Sequence, residues 1–124
     1  MIRCLLVDDN GPFLAAARAT LERDGAVVVG TAASAVEAIP LAATLQPDVI
    51  LVDIDLGDDN GFDLARQLAA EGSAPVVLIS AYPESEFADL VIASPAVGFL
   101  AKAELSTGAV AALLGRGSED SRES

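Results

Sequence analysis

Five short runs of Val, Ile and Leu recur along this chain, each followed by a stretch of helical periodicity, and nothing else in the sequence restricts the fold so severely. The runs are RCLLVD (3–8), AVVVGT (26–31), DVILVD (48–53), PVVLIS (75–80) and VGFLAK (97–102). Several are nearly continuous in apolar residues, the pattern of strands covered on both faces of a parallel sheet. The helical stretches fall near 12–24, 34–45, 62–70, 85–92 and 106–114. Pro12 suits a first turn, Leu14, Ala17 and Leu21 share one face, and Gly25 ends the first helix. Ser34 and Glu37 have capping-box spacing, whereas Pro40 lies inside the second helix and is expected to kink it near Val36. Gly72 stops the third helix, Ser94-Pro95 the fourth, and Gly108 weakens the fifth. Such alternation folds as an α/β doubly wound parallel sheet flanked by five helices, with ligands beyond the carboxyl ends of the strands.

Those ends carry the chemistry. Asp8 and Asp9 close the first strand, Asp53 the third, Ser80 the fourth and Lys102 the fifth, so the topology gathers them on one rim. Adjacent carboxylates repel each other and resist desolvation unless a cation lies among them. Hard oxygen donors, with no histidine in the chain and no available thiol, select Mg²⁺ over zinc or copper. Asp9 and Asp53 are the expected direct ligands, with Asp8 acting through water and Asp55 through its backbone carbonyl. Lys102, the only lysine, can pair with Asp53 and then with a phosphoryl oxygen. An aspartate so placed is a candidate nucleophile toward phosphorus, because metal and ammonium neutralise the oxygens around it. A single Asp at a strand end is more commonly a turn or cap residue. The whole set on the correct ends is what favours a site.

Composition narrows the function. Nineteen acids against seven scattered bases give a net charge of −12, which repels phosphate backbones and argues against direct nucleic-acid binding. The absence of histidine excludes histidine-based acid–base catalysis and any phosphohistidine carried by this chain. Cys4 is alone in an apolar strand and reads as a small buried hydrophobe. No run reaches the ~18 apolar residues of a membrane span, no signal-peptide cleavage pattern is present, and a cytoplasmic location is expected. The Gly, Ser and charged segment 115–124 is expected to be a disordered tail beyond a single domain at 1–114.

Over residues 1–114 the chain resembles the receiver domain of bacterial two-component response regulators, the chemotaxis-type phosphoacceptor family. The matching residues are Asp8-Asp9, Asp53 in LVDIDLGDDNG, Ser80-Ala81 in LISA, and Phe99 and Lys102 in GFLAK. The resemblance implies a flavodoxin-like sheet of order 2-1-3-4-5 and Asp53 as phosphoacceptor from a partner histidine kinase or phosphotransfer protein. It implies that the Ser80 hydroxyl turns to the phosphoryl group, that Phe99 rotates inward, and that the helix 4, strand 5 and helix 5 surface changes. That surface would serve a downstream protein, an output domain or a homodimer. Self-dephosphorylation by in-line water would reset the switch, with Asp55 and Tyr82 flanking its approach.

Three positions depart from the family pattern. Ala103 replaces the usual proline after the lysine, leaving either a cis non-proline bond or a different lysine loop. Gly57 also stands where proline is common and is expected to loosen the loop after Asp53, and Pro40 is unusual within the second helix. Other readings carry weaker support. Asp53-Ile54-Asp55 is similar to the nucleophile motif of haloacid-dehalogenase-type phosphatases, but on the wrong strand and without the further acidic motifs. A flavodoxin would need a phosphate cradle where DDNG stands. A phosphorylation-independent interaction module would be expected to have lost part of the acidic and lysine set. No helix-turn-helix output segment is recognisable, so the chain reads as a stand-alone receiver or a piece of a longer regulator.

Overall fold

The computed structural model describes the backbone of residues 1–123 and the side chains of residues 1–115. Strands β1 (Arg3–Val7), β2 (Val27–Ala32), β3 (Val49–Asp53), β4 (Val76–Ser80) and β5 (Gly98–Ala101) form one sheet. All its pairings are parallel, and its order is β2-β1-β3-β4-β5. Helices α1 (Gly11–Arg23), α2 (Ala35–Leu45), α3 (Gly61–Ala70), α4 (Ala88–Ala93) and α5 (Thr107–Glu123) connect or follow them. The strand order reverses between β1 and β3, which opens a crevice above their carboxyl ends.

Two apolar layers sandwich the sheet. Leu5, Val7, Ile50, Val52 and Leu78 pack under α2 and α3. Cys4, Leu6, Leu51, Val77 and Ile79 pack under α1 and α5. A bulge at β1–β2 pairs Cys4 with Val28 but Leu5 with Gly30. The extra residue changes the parity of β2, so Val28 faces the second layer and Ala32 the first.

The helix ends follow local chemistry. Asn10 caps α1, its side chain accepting the Phe13 N–H at 3.0 Å. Ser34 accepts the Glu37 N–H at 3.4 Å, and Glu37 reaches back to the N–H of Ala33. Pro40 does not interrupt α2: the Val36 carbonyl it deprives of a donor belongs to a residue 82 % exposed, where water can satisfy it. α4 is shorter than expected because residues 84–86 form a separate 3₁₀ turn. α5 continues to Glu123, past the expected end near Leu114. The expectation of a disordered tail at 115–124 falls mostly on side chains outside the described residues. No helix among the described residues is long and apolar enough to cross a membrane.

Candidate functional site

The topological crevice holds an open cleft of about 880 Å³, lined in part by Asp9, Asp53, Asp55, Ser80, Tyr82 and Lys102. Asp8 lies at its floor, fully buried. Its Oδ1 accepts the Asn10 N–H at 2.9 Å, and its Oδ2 lies 2.7 Å from the Lys102 ammonium. That ammonium is the close partner of Oδ2. Asp53, 6 % exposed, presents Oδ1 to the Asp55 N–H at 3.1 Å and Oδ2 to the same ammonium at 3.2 Å. Lys102 therefore bridges both buried acids, and its shorter contact is to Asp8, not to the expected Asp53.

The electrostatics follow from this crowding. Burial pushes the Asp53 carboxyl up from 3.8 to about 6, the Asp55 N–H opposes that rise, Asp8 adds to it and Lys102 subtracts. Burial alone would lower the Lys102 ammonium, but its bond to Asp8 and the charge of Asp53 outweigh it and raise the group. At neutral pH the site thus holds an ionised, partly desolvated Asp53 beside a firmly charged lysine.

The donor set fits a hard cation. Oxygens of Asp8, Asp9 and Asp53 lie within 4.8 Å of one another, against at most about 4.2 Å across an octahedral Mg²⁺ with bonds near 2.1 Å. A small contraction would bring them into ligand positions. Asp55 borders the same space. Its carboxylate accepts the Gly57 N–H at 3.3 Å, and its residue pairs with Asn60 in a two-stranded ribbon, Asp55–Leu56 against Asp59–Asn60.

Gly57 opens the turn of that ribbon. Its φ of +72° is denied to proline, and positive φ at the first loop position alone is the type II′ hairpin signature. A Cβ there would come within 3.2 Å of Asp9 Oδ2. The residues after it are more than a solvated turn. Asp59 accepts the Ala35 N–H at 2.9 Å and so ties the ribbon to the start of α2. Asn60 caps α3 through the N–H groups of Phe62 and Asp63. At Gly61 a Cβ would stand 2.2 Å from the Asp53 carbonyl oxygen, so only glycine lets α3 approach the end of β3 this closely.

The remaining expected residues are also near the rim. Ser80 is buried and accepts the Tyr82 N–H at 3.0 Å, which leaves its hydroxyl proton free to be donated. Phe99 is 8 % exposed, with its ring 6.4 Å from that of Phe87. Lys102 opens a 3₁₀ turn, Lys102–Glu104, instead of ending β5. The bond to Ala103 is trans, which decides for a different lysine loop over a cis bond. Sequence reasoning missed Asn10, Asp59 and the ring of Phe13, which lies 4.3 Å from the Lys102 ammonium. Asn10 before Gly-Pro was a legible cap signal, but the Asp59 and Phe13 contacts are tertiary and leave no local pattern.

A doubly wound sheet of this order, with three acids and a lysine at its carboxyl edge, defines the class of phosphoaspartate receivers. The response regulator receiver domain profile matches residues 4–113, and the chain belongs to that family, the phosphoaspartate module of two-component signalling. It is similar to an uncharacterized response regulatory protein of Yersinia pestis, 39% identical over 85 residues covering 68% of this chain and 36% of that protein. A LuxR-family two-component response regulator from Aurantimonas sp. SI85-9A1 superposes with a TM-score of 0.81 and 30% identity, covering 93% of this chain and 86% of that one. A response regulator from Burkholderia pseudomallei, solved with a phosphorylated aspartic acid, calcium ion and citrate, gives 0.75 and 26%, covering 99% and 75%. None of these three singles out the chemotaxis type. The chain spans about half or less of the length of the curated relatives it matches.

Proposed function

We propose that Asp53 accepts a phosphoryl group from the phosphohistidine of a partner kinase or phosphotransfer protein and that the phosphorylated domain signals through its α4–β5–α5 face. The observation that carries this reading is the Lys102 ammonium held between Asp8 and Asp53 at 2.7 and 3.2 Å, beside a third carboxylate. An Asp53 oxygen attacks phosphorus, the phosphorus–nitrogen bond breaks, and its electron pair stays on the imidazole of the donor. Asp53 is ionised at neutral pH and therefore competent as nucleophile. Asp9, Asp53, the Asp55 carbonyl and, through water, Asp8 would hold a Mg²⁺ ion, which would supply positive charge to the phosphoryl oxygens. Lys102 turns its donor from Asp53 Oδ2 to a phosphoryl oxygen, and Ser80 donates its free hydroxyl proton to another. Phe99 on β5 and Phe87, just before α4, with ring centroids 6.4 Å apart, carry the change outward.

The exposed apolar side chains of α4, Leu90 and Ile92, support a docking role for that face, whether for a downstream protein, an output domain or a second copy. Asp55 and Tyr82 border the approach to phosphorus, and the Asp55 carboxylate tunes the phosphate lifetime. Identical decay in Asp55→Asn and the parent would reject that role.

Tyr82 is the only tyrosine and the chain has no tryptophan, so intrinsic fluorescence reports from the cleft itself. Beryllofluoride with Mg²⁺ should change that signal in the parent and leave Asp53→Asn unchanged. An equal response in both would refute the phosphoacceptor reading, and sustained turnover of small phosphate esters would replace it with a phosphatase.

A further inference from the structure

Four residues close a ring around the ammonium. The Asp8 Oδ1 accepts the Asn10 N–H at 2.9 Å, the Asn10 side chain accepts the Phe13 N–H at 3.0 Å, and the Phe13 ring centroid lies 4.3 Å from Lys102 Nζ. Lys102 returns to Asp8 at 2.7 Å. The first turn of α1 is therefore fastened to the same carboxylate that the lysine grips, and the aromatic face is set by the cap. A ring face attracts a cation through its quadrupole, and the attraction strengthens where water is excluded. The Lys102 side chain is 15% exposed, so its ammonium has few water partners to lose.

We infer that Phe13 is a positioning residue for the phosphoryl-transfer chemistry: its ring face holds the Lys102 ammonium over Asp8 and Asp53. The inference rests on the phosphoacceptor reading only for its consequence, since the contact stands by itself. Without the ring, the flexible four-carbon stem of lysine lets the ammonium leave the two carboxylates for solvent. With it, the ammonium is kept on the side of Asp53 where a phosphoryl oxygen must arrive.

Phe13 also packs on the apolar layer under α1, so truncating it would mix packing with electrostatics. Fluorination separates the two, because mono-, di- and trifluoro-phenylalanine keep nearly the same shape while draining the ring face of negative potential. The full chain carrying this series at position 13 is assayed for Asp53 phosphorylation by acetyl phosphate with Mg²⁺. In parallel, ¹⁵N relaxation of the Lys102 ammonium is recorded, a signal without overlap because the chain has one lysine. The expected result is a stepwise loss of ammonium order and a rate that falls by about three- to thirtyfold across the series. Phe13→Trp, with the strongest ring face, is expected to restore both. Order and rate that stay constant through the series would overturn the inference. If the parent itself takes no phosphoryl group, the phosphoacceptor reading fails, and unchanged or graded ammonium order still decides whether Phe13 holds the lysine.

Discussion

Replacing Asp53 with Asn in the metal-free protein removes one buried negative charge while keeping the side-chain shape and an acceptor for the Asp55 N–H. Lys102 retains its 2.7 Å contact with Asp8, so the ammonium is not orphaned. The rise of the Asp53 carboxyl from 3.8 to about 6 already contains the attraction of Lys102. Each pKa unit is worth about 1.4 kcal/mol, so the ionised carboxylate costs the folded chain about 3 kcal/mol. The sign follows from which state holds the proton. Below 3.8 the group is protonated whether folded or unfolded, and its contribution to stability is fully present. As pH rises from there the unfolded chain ionises first, stability is lost, and the loss is complete above about 6. Asn does not titrate, so the stability of Asp53→Asn relative to the parent should grow by roughly 2 kcal/mol between about pH 4.5 and 7.5. Urea unfolding of both proteins at the two pH values, with EDTA present, measures that growth as a widening gap in midpoint. A gap of the same size at both pH values would refute the reasoning, because it would show that Asp53 titrates as though exposed.

Three further outcomes rest on the loop after β3. Gly57→Pro drives φ from +72° toward about −65°, a strain of about 1–2 kcal/mol or more, and should weaken Mg²⁺ binding about tenfold by displacing the turn beside Asp9; unchanged affinity by calorimetry would show that the turn does not shape the site. Gly61→Ala places a methyl group against the Asp53 carbonyl and should lower the urea-derived stability by about 2–3 kcal/mol. Asn60→Ala leaves the Phe62 and Asp63 N–H groups without their cap and should cost about 1 kcal/mol in the same assay.

Much of this architecture was legible because its causes are local or periodic. Apolar runs such as VILVD and VVLIS can only be buried on both faces, and their order along the chain brought Asp8, Asp53 and Ser80 to one edge. Ser34 announced α2 and Gly72 the end of α3 for reasons of cap chemistry and positive φ. What escaped was set by tertiary proximity. Lys102 stands closer to Asp8, at 2.7 Å, than to Asp53, at 3.2 Å, a tertiary contact that no spacing encodes. The hairpin that Gly57 closes with positive φ is anchored to α2 by Asp59, a contact with no local signature. Pro40 lies inside an α2 that continues through it, because solvent reaches the carbonyl it leaves without a donor.

The most direct test is peptide mapping by tandem mass spectrometry after brief incubation with acetyl phosphate, with and without Mg²⁺. One phosphoryl group carried on Asp53, formed only with the metal and lost in Lys102→Ala, is the predicted result. A modification that maps to another carboxylate, or that forms equally well in EDTA, would contradict the assignment of this rim as a metal-assisted phosphoacceptor site.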